Sequence, residues 1–216
     1  FGGKTSESIF IMDLLHTKYA DGKIIAVVPY VAASAATILC MGCHEIWMGE
    51  TAYLGGTDIL LDNKEGKHVV EEITKLDLKY LVNRDSSILK DKLCELCKFY
   101  EKNGVPLGYY TACKKQLENV EITLKQWLMK YMFHETDAGN RKAFHLSKWL
   151  NHLPSHDMKL SRQDLIDHGC IIKSIENDSL AFNLINGIYL NCSYLFAEGR
   201  NISKIICDHD GYTAFI

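Results

Sequence analysis

The chain has 216 residues, of which 47% are hydrophobic and 24% charged, and its formal net charge is -3 at pH 7. This composition is typical of a globular protein with one well-buried domain. It excludes a basic surface for nucleic acid or anionic membranes, and the apolar runs, such as 24–28 and 45–48, are too short to cross a membrane.

The N-terminal quarter of the chain alternates helical and extended patterns. The stretch "TSESIFIMDLLHTKY" predicts a helix that begins at Thr5 or Ser6, and its apolar residues nearly encircle it, so we expect burial on more than one side. "GKIIAVVPY" is a continuous apolar strand, typical of a parallel sheet covered on both faces. A helix, "SAATILCMG", a strand, "EIWMG", and an extended segment, "TAYLGGTDI", follow. This order predicts an α/β fold with βαβ crossovers.

The remainder of the chain is helical at first and then mixed. Residues 67–133 predict a helical insertion, in which one stripe indicates core packing or a subunit interface. That stripe consists of Leu117, Val120, Leu124, Leu128, Trp127 and Met132. A helix at about 140–151 and a short helix, "SRQDLIDHG", capped by Ser161 and ended by Gly169, come next. "CIIKSIEN" and "SKIICDHDGYTAFI" alternate like strands.

Eight cysteines raise the question of a metal site. Cys40 and Cys43 form one CxxC pair, and Cys94 and Cys97 form another, which in loops would indicate zinc. Both pairs fall in helical patterns without neighbouring turn residues, so we expect reduced thiols and neither metal nor cofactor. Scattered thiols of this kind are typical of a reducing compartment, so we expect the protein in the cytoplasm or on the cytoplasmic face of a membrane.

Ser34 lies where a strand gives way to a helix, in the small-residue run "AASAAT". A serine there is either the N-cap of the helix or a nucleophile on a strand-to-helix turn. Glycines and helix N-termini supply backbone donors for an oxyanion, and Gly2, Gly3 and the N–H of Ala35 fit that requirement. These residues alone leave both interpretations of Ser34 open.

The motifs "FGG", "VPYVAASAATIL" and "IWMGETAYLGGTD", in this order, resemble the serine dehydrogenase proteinase family, which is related to signal peptide peptidase A and the proteolytic subunit of Clp protease. The resemblance continues in "KWLNHLPSHDMKLSRQDLIDHGCII" and covers nearly the whole chain. It is most specific over 1–58 and 145–172 and poor over 60–105. It implies a single ClpP/crotonase-like domain over 1–216, a β/α spiral with a parallel sheet and peripheral helices. The start at Phe1 indicates an N-terminally truncated chain, so a membrane anchor would lie outside it.

The resemblance implies a serine peptidase that forms an acyl-enzyme on Ser34. Gly2, Gly3 and the N–H of Ala35 would then form the oxyanion hole. The implied substrate is a peptide or protein, the implied assembly is a homo-oligomer, and no nucleic acid takes part.

The general base is less defined than the nucleophile. The Clp branch has a histidine in the segment that here reads "TAYLGGTD", where this chain has Gly55 and Gly56 instead. One candidate is His156 beside Asp157, where the Clp branch places its orienting aspartate. The other is a lysine, as in the signal peptide peptidase branch, and Lys75, Lys79 and Lys90 are the candidates. A catalytic lysine must be desolvated to be neutral, whereas these lie in charged helical stretches, which favours His156.

Two other functions compete with the peptidase. A crotonase-like acyl-CoA enzyme would use only the backbone oxyanion hole, but "SAATILCMG" lacks the acid that such an enzyme often carries on this helix. The second alternative is a peptidase-fold scaffold without activity, which the missing Clp-type histidine favours.

Overall fold

The computed structural model describes residues 5–57, 60–61, 64–65, 98, 109–134, 136–153, 158–197, 205–207 and 213–215. The helices are α1 (Thr5–Lys18), α2 (Ala35–Met41), α3 (Tyr109–Trp127), which continues as a π-helical turn (Leu128–Met132), α4 (Asp137–Asn151), α5 (Arg162–Asp167) and α6 (Ser179–Ala197). The strands are β1 (Ile25–Val28), β2 (Val31–Ala32), β3 (Glu45–Met48), β4 (Tyr53–Gly55), β5 (Leu60–Leu61), β6 (Lys64–Glu65), β7 (Lys159–Ser161), β8 (Ile172–Ser174), β9 (Ile205–Cys207) and β10 (Thr213–Phe215). A 3₁₀ turn, Ile175–Asn177, precedes α6.

Two small sheets organise the described part of the chain. The first has the order β1-β3-β8 and is parallel throughout, with Ile25 paired to Glu45 and Ile46 paired to Ile172. The second has the order β2-β4-β7, in which β4 runs parallel to β2 and antiparallel to β7. The pairs β5–β6 and β9–β10 are antiparallel. The predicted α/β class with parallel pairing is confirmed.

The core lies between the sheets and the helices α2, α3 and α4. The predicted stripe on α3 belongs to it: Leu124, Leu128 and Met132 have no exposed surface, and Val120 is also buried. Burial of this stripe confirms the prediction of core packing. Of the predicted insertion over 67–133, only Lys98 and the residues from Tyr109 onward lie within the described ranges.

Two predicted burial patterns are wrong. Helix α1 packs on α2 through one face that includes Met12, while Phe10 is 68% and Leu14 55% exposed, so α1 is not buried on more than one side. Strand β1 is not covered on both faces, because Val28 is buried but Val27 is 42% exposed. Among the described residues β1 is one of the two edge strands of its sheet, and continuous apolar character therefore does not guarantee two-sided burial.

The C-terminal half follows its local signals up to α6. Ser161 caps α5 in a capping box with Asp164, and Gly169 follows the helix with φ +90°, as predicted. The pattern before α6 predicts β8 correctly. Helix α6 itself has no counterpart in the sequence analysis. None of the helices in the described ranges is both long and apolar enough to span a membrane.

Candidate active site

Ser34 has a strained backbone. It connects β2 to α2 with φ 56° and ψ -122°, outside the left-handed region that non-glycine residues sometimes visit. A conformation of this kind costs about 1–3 kcal/mol and persists only where its surroundings enforce it. A serine on a strained strand-to-helix turn is also the arrangement in which α/β-hydrolases expose their nucleophile.

The hydroxyl of Ser34 does not cap α2. Its backbone occupies the N-cap position, yet the side chain makes no capping hydrogen bond. Ser34 is half-buried, so part of the residue is accessible to solvent. The interpretation of Ser34 as a side-chain helix cap is therefore wrong.

The turn at Ser34 is held by hydrogen bonds to β4 and the residue after it. The N–H of Ser34 donates to the carbonyl of Gly56 at 3.0 Å. The buried hydroxyl of Thr37 lies 2.8 Å from the carbonyl oxygen of Gly55 and 3.1 Å from that of Ala32. These hydrogen bonds connect the first turn of α2 to both β2 and β4.

Gly55 is required by this close approach. A Cβ at position 55 would lie 2.7 Å from the Cβ of Ala33 and 3.1 Å from its Cα. A histidine therefore does not fit at Gly55, in the segment where the Clp branch carries its base.

The N-terminus of α2 supplies one donor of the predicted oxyanion hole. The N–H of Ala36 donates to Ala33 and that of Ile38 to Ser34, at 3.0 and 3.2 Å. Within the described part of the chain, the N–H of Ala35 has no backbone acceptor. It is one of the donors that a helix leaves open at its first turn, directly after the candidate nucleophile. The other predicted donors, Gly2 and Gly3, lie outside the described residues.

The predicted bases lie outside the described residues as well. These are His156, with Asp157, and the lysines Lys75, Lys79 and Lys90. The described segments before and after 154–157 contact residues 55–57, which are the end of β4 and the two residues after it. Lys159 pairs with Gly55, and the hydroxyl of Thr57 donates to the carbonyl of Leu150 at 3.2 Å.

Lys159 is a polar residue near Ser34 that sequence analysis missed. Paired residues of antiparallel strands project from the same face, so Lys159 projects from the face on which Gly55 approaches Ala33. Its side chain is exposed, and its Nζ lies 4.8 Å from the centre of the Tyr53 ring. The pairing of β4 with β7 places this residue beside Gly55, and no local sequence motif predicts that position.

The described cysteines of the CxxC pair are buried thiols. Cys40 and Cys43 are both free and buried, and burial raises the pKa of Cys43 to about 12. This agrees with the predicted reduced thiols, whereas Cys94 and Cys97 lie outside the described residues. The described part of the chain holds no group of three or more His, Cys, Asp or Glu side chains suited to a metal ion.

No protein-family model matches this chain, and no curated protein or solved structure is significantly similar to it. The relationship to serine dehydrogenase proteinases therefore stays a prediction from the motifs.

Proposed function

We propose that the chain is a serine peptidase with a ClpP/crotonase-like β/α spiral fold, in which Ser34 is the nucleophile. The observation that carries this proposal is the strained turn at Ser34, whose hydroxyl is not used to cap α2. A helix cap needs no such strain, because an ordinary extended N-cap satisfies the helix at no conformational cost. The position of the Ala35 N–H, directly after the nucleophile, supports acyl transfer as the reaction class.

In the proposed reaction a base removes the Ser34 proton while Oγ attacks the peptide carbonyl carbon. The resulting oxyanion accepts a hydrogen bond from the N–H of Ala35, and from Gly2 and Gly3 as the motif implies. When the tetrahedral intermediate collapses, the C–N bond breaks and the amine leaves with the proton held by the base. Water then attacks the acyl-enzyme by the same route, releasing the acid and restoring Ser34.

The proposed base is His156, with Asp157 as the group that orients it. The pairing of Lys159 with Gly55 supports this assignment, because Asp157 is two residues from Lys159 in the sequence. The acceptor for the Ser34 N–H, Gly56, is next to Gly55. Strand β7 therefore begins beside the end of β4, whose neighbouring residue Gly56 positions the nucleophile.

Labelling with a fluorophosphonate serine probe, followed by peptide mapping, tests the nucleophile. We expect one adduct per chain on Ser34, no adduct in Ser34→Ala and none in heat-unfolded protein. Ser34→Ala is expected to lower peptidase kcat by at least about 10³-fold. A folded chain without an adduct would indicate the inactive scaffold. Turnover that survives Ser34→Ala would indicate a crotonase-like enzyme that relies on backbone donors.

Two variants test the base. His156→Ala is expected to lower kcat/KM by about 10²–10⁴-fold, the usual contribution of general base catalysis. Lys159→Gln removes the exposed amine of the residue paired with Gly55 and is expected to retain activity, and His152→Ala, which removes an exposed histidine, is the matched control. The opposite result, in which only Lys159→Gln loses activity, would contradict the assignment of His156 and make Lys159 the base.

A further inference from the structure

Thr37 places a buried hydroxyl beside the turn that carries Ser34. It lies in the first turn of α2, three residues after Ser34, and has no exposed surface. A threonine in a helix often donates to a carbonyl three or four residues earlier in the chain. The hydroxyl of Thr37 instead lies 2.8 Å from the carbonyl oxygen of Gly55 and 3.1 Å from that of Ala32. It therefore bonds to the strands β4 and β2 rather than back along its own helix.

The carbonyl of Gly55 is the one that a regular sheet would offer to Ser34. Where the parallel strands β2 and β4 begin to pair, the N–H of Tyr53 donates to the carbonyl of Tyr30 at 2.9 Å. The bonds of a parallel ladder are evenly spaced and recur at every second residue of each strand. A ladder that continued from this bond would therefore join the Ser34 N–H to the Gly55 carbonyl. The Ser34 N–H donates instead to Gly56, the next residue along, at 3.0 Å.

This shift of one residue accounts for the strained backbone of Ser34. The Thr37 hydroxyl supplies a donor to the buried carbonyl of Gly55, and the Ser34 N–H bonds to Gly56, with φ 56° and ψ -122° at Ser34. A buried carbonyl without a donor is costly. Without the Thr37 hydroxyl, the Gly55 carbonyl would therefore favour the regular bond from the Ser34 N–H. Strained conformations persist only where their surroundings enforce them, and Thr37 is such a group.

We infer that Thr37 is a positioning residue for the Ser34 nucleophile, a role that rests on the proposed function and deepens it. Its hydroxyl keeps the Ser34 N–H on Gly56, and in this conformation the Ser34 side chain makes no capping bond to α2. In an ordinary extended conformation the same side chain would be able to cap the helix. Thr37 acts through the backbone of the turn and takes no part in bond making.

The rate of fluorophosphonate labelling measures what Thr37 does for the nucleophile. Thr37→Ser keeps the hydroxyl, and Thr37→Ala differs from it by the hydroxyl alone, so this pair separates hydrogen bonding from the loss of a methyl group. We expect Thr37→Ala to lower the second-order labelling rate of Ser34 by about 10²-fold, the usual effect of a small misplacement, and Thr37→Ser to stay within about threefold of wild type. The control is Ser147→Ala, which removes a buried hydroxyl on α4 that bonds to the carbonyl of Phe144 and should label at the wild-type rate.

Equal labelling rates in Thr37→Ala and Thr37→Ser would overturn the positioning role, because the hydroxyl is the only group by which the two variants differ. All rates are measured on the full chain, at a temperature at which circular dichroism shows every variant to be folded. If Thr37→Ala does not fold, Thr37→Val takes its place, since valine lacks the hydroxyl but has nearly the shape of threonine.

A double-mutant cycle tests the hold on the turn without reference to catalysis. Removing the Thr37 hydroxyl should release strain at Ser34 in the wild-type chain, whereas Ser34→Gly has no such strain to release. By urea unfolding, we therefore expect the fold-decrease that Thr37→Ala causes in the ratio of folded to unfolded chain to be about five times or more larger in the Ser34→Gly background. Equal decreases in both backgrounds would overturn the inference. A chain that does not label but gives unequal decreases would contradict Ser34 as the nucleophile while confirming that Thr37 holds the turn.

Discussion

At the scale of single residues, Ser34 combines a strained backbone with a hydroxyl group that does not cap α2. The small residues around it predict the position of the turn, but they carry no information on φ or ψ. The strain arises because the Ser34 N–H is held by Gly56 while α2 begins at the next residue. Proteins commonly keep a strained residue at a functional site, where the strain lowers stability but supports function.

Replacing Ser34 by glycine should relieve this strain. Glycine adopts positive φ without steric cost, whereas alanine keeps the Cβ that opposes it. We expect Ser34→Gly to have a free energy of unfolding about 1 kcal/mol higher than Ser34→Ala, after allowance for the greater entropy of unfolded glycine. Urea unfolding followed by circular dichroism measures both variants. Equal or lower stability of Ser34→Gly would mean that the turn is not strained.

The site residues that sequence could predict are those with a local signal. Ser34 and Ala35 follow from the strand-to-helix transition and the small-residue run. Lys159 and the steric role of Gly55 depend on the pairing of β4 with β7, strands about a hundred residues apart in the sequence. No local pattern in the sequence encodes that pairing, so these two features could not be predicted from the sequence.

At the scale of elements, predictions succeeded where the sequence contains a helix-capping motif or a periodic spacing of apolar residues. The capping box at Ser161 and the buried stripe of α3 are such signals. Helix α6 was not predicted, because its own apolar residues lie on all sides of it. Asn and Gly stand at positions where charged residues usually mark the side that faces solvent. The burial of α1 was overestimated for a related reason, since apolar residues on all sides do not show which side packs.

A buried carboxylate joins the strands of the parallel sheet. Glu45 of β3 has a side chain only 4% exposed, and it accepts hydrogen bonds from Lys23 at 2.7 Å, Trp47 at 2.8 Å and Lys173 at 3.2 Å. Burial alone would raise the pKa of Glu45, but the hydrogen bonds outweigh it and lower the pKa to about 2. Lys23 precedes β1 and Lys173 lies in β8, so this one carboxylate connects three strands.

This network should make stability depend on pH. Because the pKa of Glu45 is lower in the folded chain, its stabilisation is present above about pH 4.5 and is lost as the pH falls toward 2. We expect Glu45→Gln to cost about 2 kcal/mol at pH 7, allowing for the half-exposed lysines, and less than half of that at pH 3. Urea unfolding at both pH values tests this, with the exposed Glu118→Gln as control. An equal cost at both pH values would show that the charge of Glu45 is not what stabilises the sheet.

At the scale of the whole molecule, the candidate site and helix α6 are built from different elements. Ser34, Ala35 and Gly55 are held by β2, α2 and β4, whereas α6 follows β8 and the 3₁₀ turn after it. The resemblance predicts a homo-oligomer but does not indicate which surface forms it, so association has to be measured on the whole chain.

Association into the homo-oligomer that the resemblance implies should make thermal stability depend on protein concentration, because an oligomer that dissociates on unfolding is stabilised by mass action. We expect the wild-type Tm to rise by about 1–2 °C for each tenfold increase in concentration. Scanning calorimetry over a hundredfold range measures this dependence. Fluorophosphonate labelling of Ser34 should persist at the lowest concentration, since every described residue of the candidate site comes from one chain. A concentration-independent Tm would contradict the oligomer, whereas loss of labelling on dilution would show that association completes the site.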